Sequence, residues 1–189
     1  MEKVTIDKVV YLIGYHTQEF RIDEKLISPE KCNALDAWLG FGYYFWADIE
    51  FAKYWGEDCK IKTGYYDIYK ANLNFQNCLN TVFNEEQYFF FKNCLEKTIN
   101  NFQNNGKIVS LNRVHEFLSD NFWESMGVTG IIYDDMPINP KNKPSRKYSV
   151  INHSDNSNNK FFYYKKRIQI VIFNLKNICN FDIYLEKQN

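Results

Sequence analysis

The stretch LGFGYYFWAD at residues 39–48, followed by AKYW at residues 52–55, decides the fold of this chain. Gly40 and Gly42 interrupt regular structure and allow the backbone to approach a bound molecule closely. The four consecutive aromatic residues at 43–46 predict a β-strand. Because side chains alternate along a strand, Tyr44 and Trp46 are expected on the same face.

A short helix is predicted directly after this strand. Asp48 is a suitable N-cap, the helix extends through Trp55, and Gly56 is expected to end it. This helix would bring Tyr54 or Trp55 back over the face of the strand. Two rings at that separation can enclose a flat heterocycle, although the same rings can also fill an aromatic core.

Working outward from this stretch, short apolar runs predict strands and capped periodic runs predict helices. The predicted strands are Val9–Tyr15, Tyr65–Leu73, Val128–Tyr133, Lys166–Phe173 and Phe181–Leu185, and the predicted helices begin at Ser28, run from Asn84 to a stop at Gly106, and run from Ser110 to Met126. Several strands follow one another without a crossover helix, which favours an α+β fold. The length of 189 residues, without repeats or a linker, predicts a single domain over residues 1–189.

One histidine lies where a site residue is expected. His16 follows an apolar strand in the sequence Gly14-Tyr15-His16-Thr17, and the end of a strand is where a side chain can enter a cleft. A histidine in such a position is more often a structural hydrogen-bonding residue. The three histidines and five cysteines show no zinc-binding spacing, so no metal site is predicted. The common phosphate-binding glycine motifs are also not present in the sequence.

Three segments in order resemble the motifs of the poly(ADP-ribose) polymerase and diphtheria-toxin clade of ADP-ribosyltransferases. The second motif is similar to residues 40–54, with Gly-x-Gly-x-Tyr-Phe followed by a helix containing Ala-x-Tyr. Tyr-His-Thr at 15–17 looks like the first motif, RIQIVIFN at 167–174 looks like the third, and MGVTGIIY at 126–133 resembles the strand before the substrate loop. The resemblance implies a split β-sandwich with helices packed around it.

The resemblance also implies NAD+ as co-substrate, without a metal. His16 would bind the adenine-side ribose, and the backbone of Thr17 would hold the nicotinamide carboxamide. Tyr44 would stack on the nicotinamide ring, with Tyr54 or Trp55 on its opposite side. Thr17 departs from the family, where glycine usually follows the histidine.

The third motif departs from the family in its central residue. Gln169 stands where the family usually has glutamate, and it would bind the hydroxyl of the nicotinamide ribose. With His16 and Tyr44 it completes the implied catalytic set. Glutamine can donate and accept hydrogen bonds but cannot supply negative charge to a developing oxocarbenium ion. It is compatible with single transfer rather than chain elongation, with weak NAD+ turnover, or with an inactive NAD-binding relative.

A basic segment precedes the third motif. Net charge is zero over the chain, but residues 139–167 carry eight basic residues and one acid. A flexible basic loop is predicted at about 134–166, and the substrate-loop candidates are Lys141, Lys143, Arg146, Lys147, Lys165, Lys166 and Arg167. Interleaved aromatic residues favour RNA or DNA as the target. An acidic protein target, an antitoxin partner or a solvated loop would explain the charge equally well.

The resemblance therefore implies a mono-ADP-ribosyltransferase with a macromolecular target, acting as a toxin or anti-phage effector. An NAD+ glycohydrolase or RNA 2′-phosphotransferase on the same scaffold is an alternative, and a non-catalytic NAD-binding module is another. No signal peptide or membrane span is recognisable, so we expect a cytoplasmic protein with reduced thiols and no membrane partner.

Overall fold

The computed structural model describes residues 1–22, 24–34, 37–59, 63–135, 150–152, 161–163 and 166–188. Its strands are β1 (Lys3–Ile6), β2 (Val9–Glu19), β3 (Tyr43–Trp46), β4 (Tyr66–Leu73), β5 (Cys78–Asn80), β6 (Gly130–Asp134), β7 (Val150–Asn152), β8 (Phe161–Tyr163), β9 (Ile168–Ile172) and β10 (Ile178–Gln188). Its α-helices are α1 (Ile49–Cys59), α2 (Glu85–Asn104) and α3 (Leu111–Leu118), and α3 continues as a π-helical turn, Ser119–Trp123.

Eight of these strands form one mixed sheet in the order β10-β4-β2-β3-β9-β6-β5, with β1 beside β2. The β5–β6 pair is parallel and the other pairs of this sheet are antiparallel. A mixed sheet with helices packed on it agrees with the predicted α+β class. Strand β9 lies between β3 and β6, although it is among the last elements in the sequence.

The sheet is divided next to β2. Strand β2 pairs with β4 along its length, from Leu12 opposite Leu73 to Glu19 opposite Tyr66. Between β2 and β3 the register contains one pair, Tyr15 opposite Trp46. The two halves of the sheet therefore separate on either side of this pair.

Helices α2 and α3 cover the half of the sheet that contains β6 and β9. Phe91 and Trp123 stack with ring centroids 6.2 Å apart, and both pack with the fully buried Ile131. The predicted start of α2 is confirmed, because the Asn84 side chain accepts a hydrogen bond from the Gln87 amide at 3.0 Å. No helix in the described parts of the chain is long and apolar enough to cross a membrane.

The predicted helix beginning at Ser28 is wrong. The described residues around it form no helix, and Cys32 instead pairs with Gly42 through two backbone hydrogen bonds of 2.8 and 3.2 Å. This pairing requires extended backbone near residue 32. The contact is between residues ten positions apart, so local helix signals could not reveal it.

The predicted end of α1 is also wrong, whereas its start is confirmed. The Asp48 carboxylate accepts a hydrogen bond from the Glu50 amide at 2.9 Å. Gly56 lies inside the helix, which continues to Cys59. A Cβ at position 56 would lie 2.4 Å from the Tyr66 ring, so this glycine permits close packing of α1 on β4.

Other boundaries differ from those predicted. Strand β2 extends four residues beyond Tyr15, α3 is shorter than predicted because a π-helical turn follows it, and β1 and β5 were not predicted. Within the predicted loop, β7 and β8 form an antiparallel pair. The rest of that loop between 136 and 165 lies outside the described residues.

Candidate functional site

A cavity of about 400 Å³ opens where β2, β3 and β9 meet α1 and the residues at 30–32, 34, 37 and 38. Five of the six residues implied as NAD+ contacts line it, namely His16, Thr17, Tyr44, Trp55 and Gln169. Further lining residues that the sequence analysis did not assign include Glu30, Lys31, Cys32, Trp38 and Trp46.

Strand pairing explains why residues so distant in sequence meet here. Trp46 is opposite Tyr15 of β2 on one side and opposite Gln169 of β9 on the other. The three segments chosen from the sequence therefore occupy adjacent strands in the order first, second and third. Their side chains converge at the point where the sheet divides.

His16 is buried and joins the first two segments. Its Nδ1 lies 2.9 Å from the carbonyl oxygen of Tyr44. A carbonyl only accepts hydrogen bonds, so Nδ1 carries the proton in this contact. The ring also packs against Phe45, with centroids 5.6 Å apart, and against Phe181 at 6.0 Å. These contacts fix the orientation of the imidazole.

Thr17 uses the side chain that distinguishes it from glycine. Its hydroxyl donates a 2.7 Å hydrogen bond to the carbonyl of Ala52, and both residues are buried. This bond ties the end of β2 to the first turns of α1. The threonine therefore sets the distance between the strand and the helix that form two walls of the cavity.

The Tyr44 side chain stabilises the turn at residues 39–42, which precedes β3. Its hydroxyl donates to the carbonyl of Gly40 at 2.7 Å and accepts from the amide of Leu39 at 3.0 Å. Burial raises the pKa of Tyr44 well above its ordinary value, so the hydroxyl stays protonated. Gly40 has a φ of +85°, a conformation that favours glycine, and it packs against His115. We expected this glycine to admit a ligand, and the structure shows it forming the turn.

Trp38 contacts Gln169 of the third segment. Its indole nitrogen lies 2.6 Å from Oε1 of Gln169. The Trp38 carbonyl accepts a 2.7 Å hydrogen bond from Nε2 of His115, whose pKa is lowered by burial. The rings of Trp38 and Tyr133 also pack edge to face, with centroids 5.2 Å apart. A tryptophan just before the Gly40 turn could have been noted from the sequence as a possible hydrogen-bond donor. Its acceptor, Gln169, lies 131 positions away and could not be recognised from local sequence.

Tyr54 and Trp55 were alternatives for the second stacking ring. Trp55 lines the cavity, is 37% exposed, and lies 6.0 Å from Trp46 between ring centroids. Tyr54 is buried, and its ring faces the guanidinium of Arg167 at 5.0 Å. The structure thus brings Trp55 to the cavity and directs Tyr54 elsewhere.

Arg167 occupies a position different from the exposed loop position that we expected. Its guanidinium is buried and donates to the Asp135 carboxylate at 2.8 Å, above the face of Trp46. Burial raises the pKa of Asp135, and the charge of Arg167 opposes that shift. Lys166 is exposed, 3.8 Å from the carboxylate of Asp134. The other loop candidates, Lys141, Lys143, Arg146, Lys147 and Lys165, lie outside the described residues.

Two charged residues belong to the cavity lining. The Glu30 carboxylate is 2.5 Å from Nη2 of Arg21, so its charge is largely compensated. Lys31 is exposed beside it and also lines a second cavity, of about 170 Å³, which includes His115 and Trp123. Within the described ranges, no group of three or more metal-ligating side chains is found.

The cavity thus combines aromatic walls, a glutamine amide held by an indole, and a cation at its edge. Comparison with the known protein families, with the curated proteins and with the solved structures gave no significant match for this chain.

Proposed function

We propose that the cavity binds NAD+ and that the protein is a mono-ADP-ribosyltransferase. The observation that carries this proposal is the convergence of the three family-like segments. They are separated by up to about 150 residues in sequence, yet His16, Tyr44 and Gln169 line one cavity. The division of the sheet beside β2 also supports the proposed split β-sandwich scaffold.

The dimensions and lining of the cavity suit the nicotinamide half of the dinucleotide. Its volume of about 400 Å³ falls within the range of small-molecule sites, roughly 300–1,000 Å³. We place the nicotinamide ring between Tyr44 and Trp55, with Trp46 beneath it. The pyrophosphate would then pass Lys31, the cation at the edge of the cavity.

The proposed reaction breaks the bond between the nicotinamide nitrogen and C1′ of its ribose. Nicotinamide leaves as a neutral molecule, and a nucleophilic oxygen or nitrogen of the target forms the new bond to C1′ and loses its proton. The ribose gains oxocarbenium character in the transition state. The Glu30 carboxylate in the cavity lining is paired with Arg21, so it is not the main source of negative charge for this ion. We propose that rigid positioning of the ribose and the electron-rich faces of the aromatic rings supply the stabilisation instead.

For the target we propose a nucleic acid, because seven basic residues lie between 139 and 166, not counting the buried Arg167. A role as a toxin or anti-phage effector in the cytoplasm, with an antitoxin as partner, belongs to the same proposal. An acidic protein target would replace the nucleic acid if labelling occurs on protein.

The decisive experiment measures release of nicotinamide and transfer of label from adenine-labelled NAD+. The purified protein is tested alone, with RNA, with DNA and with protein extract. The variant Trp55→Ala removes a ring that is partly exposed, so the fold is expected to survive. Tyr88→Ala is the matched control, since Tyr88 is an exposed aromatic residue of α2 outside the cavity lining.

We expect labelled nucleic acid with the wild-type and control proteins and a large loss of label with Trp55→Ala and Tyr44→Ala. Nicotinamide release without any labelled macromolecule would identify an NAD+ glycohydrolase instead. Binding of NAD+ without release would identify a non-catalytic NAD-binding module. Absence of both binding and release would refute the NAD+ proposal.

A further inference from the structure

We propose that Trp38 is a positioning residue that fixes the amide of Gln169, so that its N–H groups are the ones offered to a ligand. The identity of the ligand as NAD+ rests on the proposed function. The hydrogen bond itself can be tested without NAD+, so the two proposals can fail separately.

The orientation of the amide follows from the chemistry of the partner. An indole nitrogen donates a hydrogen bond and cannot accept one. At 2.6 Å, the Gln169 atom facing Nε1 of Trp38 must therefore be the carbonyl oxygen, because a flipped amide would bring two donors together. The Nε2 donors remain for other partners in the cavity that Gln169 lines.

Trp38 is itself held from three sides, which is what a positioning residue requires. The carbonyl of Trp38 accepts a hydrogen bond from His115 at 2.7 Å, and its ring packs edge to face with Tyr133. The next amide, that of Leu39, donates to the Tyr44 hydroxyl. These contacts come from α3, β6 and β3. The indole is therefore held in place before a ligand arrives.

This arrangement determines what the glutamine recognises. Because Trp38 holds Oε1, the N–H groups of Gln169 are left to recognise a ligand atom that accepts a hydrogen bond, such as the oxygen of a ribose hydroxyl. A carboxylate at this position would do the opposite and require the hydroxyl to donate. Trp38 thus sets the hydrogen-bonding preference of the site through Gln169, without being a catalytic residue.

The first test observes the indole N–H groups of the four tryptophans by ¹H–¹⁵N NMR. Trp38→Phe identifies the Trp38 signal by its absence. We expect this signal to move upfield and exchange faster with water in Gln169→Leu, and to remain hydrogen-bonded in Gln169→Glu. The Trp55 signal should be far less affected. A Trp38 signal unchanged in Gln169→Leu would overturn the proposal.

The second test is a double-mutant cycle on NAD+ turnover. Trp38→Phe keeps a ring against Tyr133 but removes the donor, and we expect kcat to fall about five- to tenfold, the effect of one hydrogen bond. In a Gln169→Ala background the same substitution should have little further effect. Trp55→Phe, which alters a different wall, should lower turnover by the same factor in both backgrounds.

Equal losses from Trp38→Phe in the two backgrounds would contradict the proposed coupling. Thermal unfolding of each variant accompanies the cycle, because a general loss of structure would lower Tm and affect both backgrounds alike. If the wild-type protein shows no NAD+ turnover, the proposed function fails, and the NMR measurement still decides the role of Trp38.

Discussion

Gln169 is a neutral side chain at the position where the proposed reaction would gain from a negative charge. It is buried, its side-chain oxygen accepts a hydrogen bond from Trp38, and it is the second residue of β9, opposite Trp46. An amide there costs less to bury than a carboxylate, because an ionised group loses more solvation energy. The site is therefore built for positioning rather than for charge.

Replacing Gln169 with glutamate should increase NAD+ cleavage. The carboxylate still accepts from Trp38, and its charge would stabilise the oxocarbenium ion, so we expect an increase on the order of tenfold in nicotinamide release. Gln169→Leu has a similar size and no polar atoms, and we expect it to lower release below the wild-type rate while leaving a measurable residual activity. A folded Gln169→Glu protein that is slower than wild type would contradict this role for position 169.

The thiol of Cys32 should report directly on occupancy of the cavity. Cys32 lines the cavity and is partly exposed. NAD+ at ten times its Kd should slow alkylation by iodoacetamide about tenfold, because only the unoccupied fraction reacts. Peptide mass spectrometry measures the rate at each cysteine.

Cys179 is the internal control for this measurement. It is also partly exposed, but it belongs to β10 and its thiol donates to the carbonyl of Asn72 at 3.5 Å. Its rate should be independent of NAD+. Equal alkylation of Cys32 with and without the dinucleotide would show that NAD+ does not occupy this cavity.

The sequence indicated His16, Tyr44 and Gln169 because each lies in a short motif with a definite strand pattern. It did not indicate Trp38, because the importance of that residue depends on a partner 131 positions away. The choice between Tyr54 and Trp55 likewise depends on where Arg167 lies. Local patterns identify candidate side chains, whereas tertiary contacts decide which of them share a cavity.

At the scale of elements, helix α1 is set close to the sheet, and this closeness places Trp55 at the cavity. Gly56 allows the approach, and Thr17 fixes it with its bond to Ala52. The sequence pattern predicts a helix end at Gly56, because glycine is common after the last helical residue. Inside a helix, a glycine can instead allow close contact with a neighbouring strand, because it has no side chain.

Gly56→Ala should destabilise the protein despite the better helix propensity of alanine. Alanine favours the helix by about 1 kcal/mol, but overpacking a buried contact costs about 1–3 kcal/mol. The added methyl would lie 2.4 Å from the buried Tyr66 ring, so we expect a lower Tm and weaker NAD+ binding. Lys53→Ala, on the exposed side of α1, is the control, and a raised Tm for Gly56→Ala would refute the packing role.

Tyr44→Phe tests the turn before β3. The change keeps the ring but leaves the Leu39 amide without its acceptor, which costs about 1–3 kcal/mol when the group is buried. We expect lower stability in urea unfolding and a raised KM for NAD+, since the segment that carries Trp38 is less well held. Tyr43→Phe, on the opposite face of the same strand, serves as the control. Equal KM values for the Tyr44→Phe and wild-type proteins would exclude the turn from the site.

At the scale of the whole molecule, buried phenols link folding to alkaline pH. Burial is the largest cause that raises the pKa of Tyr15 to about 12 and raises the pKa of Tyr44, Tyr69 and Tyr133. An acid whose pKa is higher in the folded state binds its proton more tightly there. Its contribution is constant below the unfolded pKa, near 10, and declines as pH rises above that value.

We therefore expect the stability contribution of these phenols to be flat at neutral pH and to fall steeply above about pH 10. Absorbance near 295 nm, a wavelength of tyrosinate, should show part of the 14 tyrosines ionising only as the protein unfolds. Protein in urea, where every phenol is exposed, should titrate as a single group near pH 10. Identical titration curves for the folded and unfolded proteins would show that the phenols are not protected.

The fold class could be predicted from the sequence, but the order of strands could not. Asn84 and Asp48 are local N-cap residues from which the starts of their helices can be predicted, and the aromatic run at 43–46 forms the predicted strand. The segment at Ser28 fails because the Cys32–Gly42 pairing overrides its local preference. Nothing local indicates that β9 lies between β3 and β6.

The position of β9 between β3 and β6 determines when the cavity can form during synthesis of the chain. Residue 169 is made 125 residues after Tyr44, which is roughly 6–25 s at the rates at which ribosomes elongate chains. Until then β3 lacks one neighbour and Trp38 lacks its acceptor. We therefore expect the unfinished chain not to bind NAD+, because the cavity is complete only when β9 pairs with both β3 and β6.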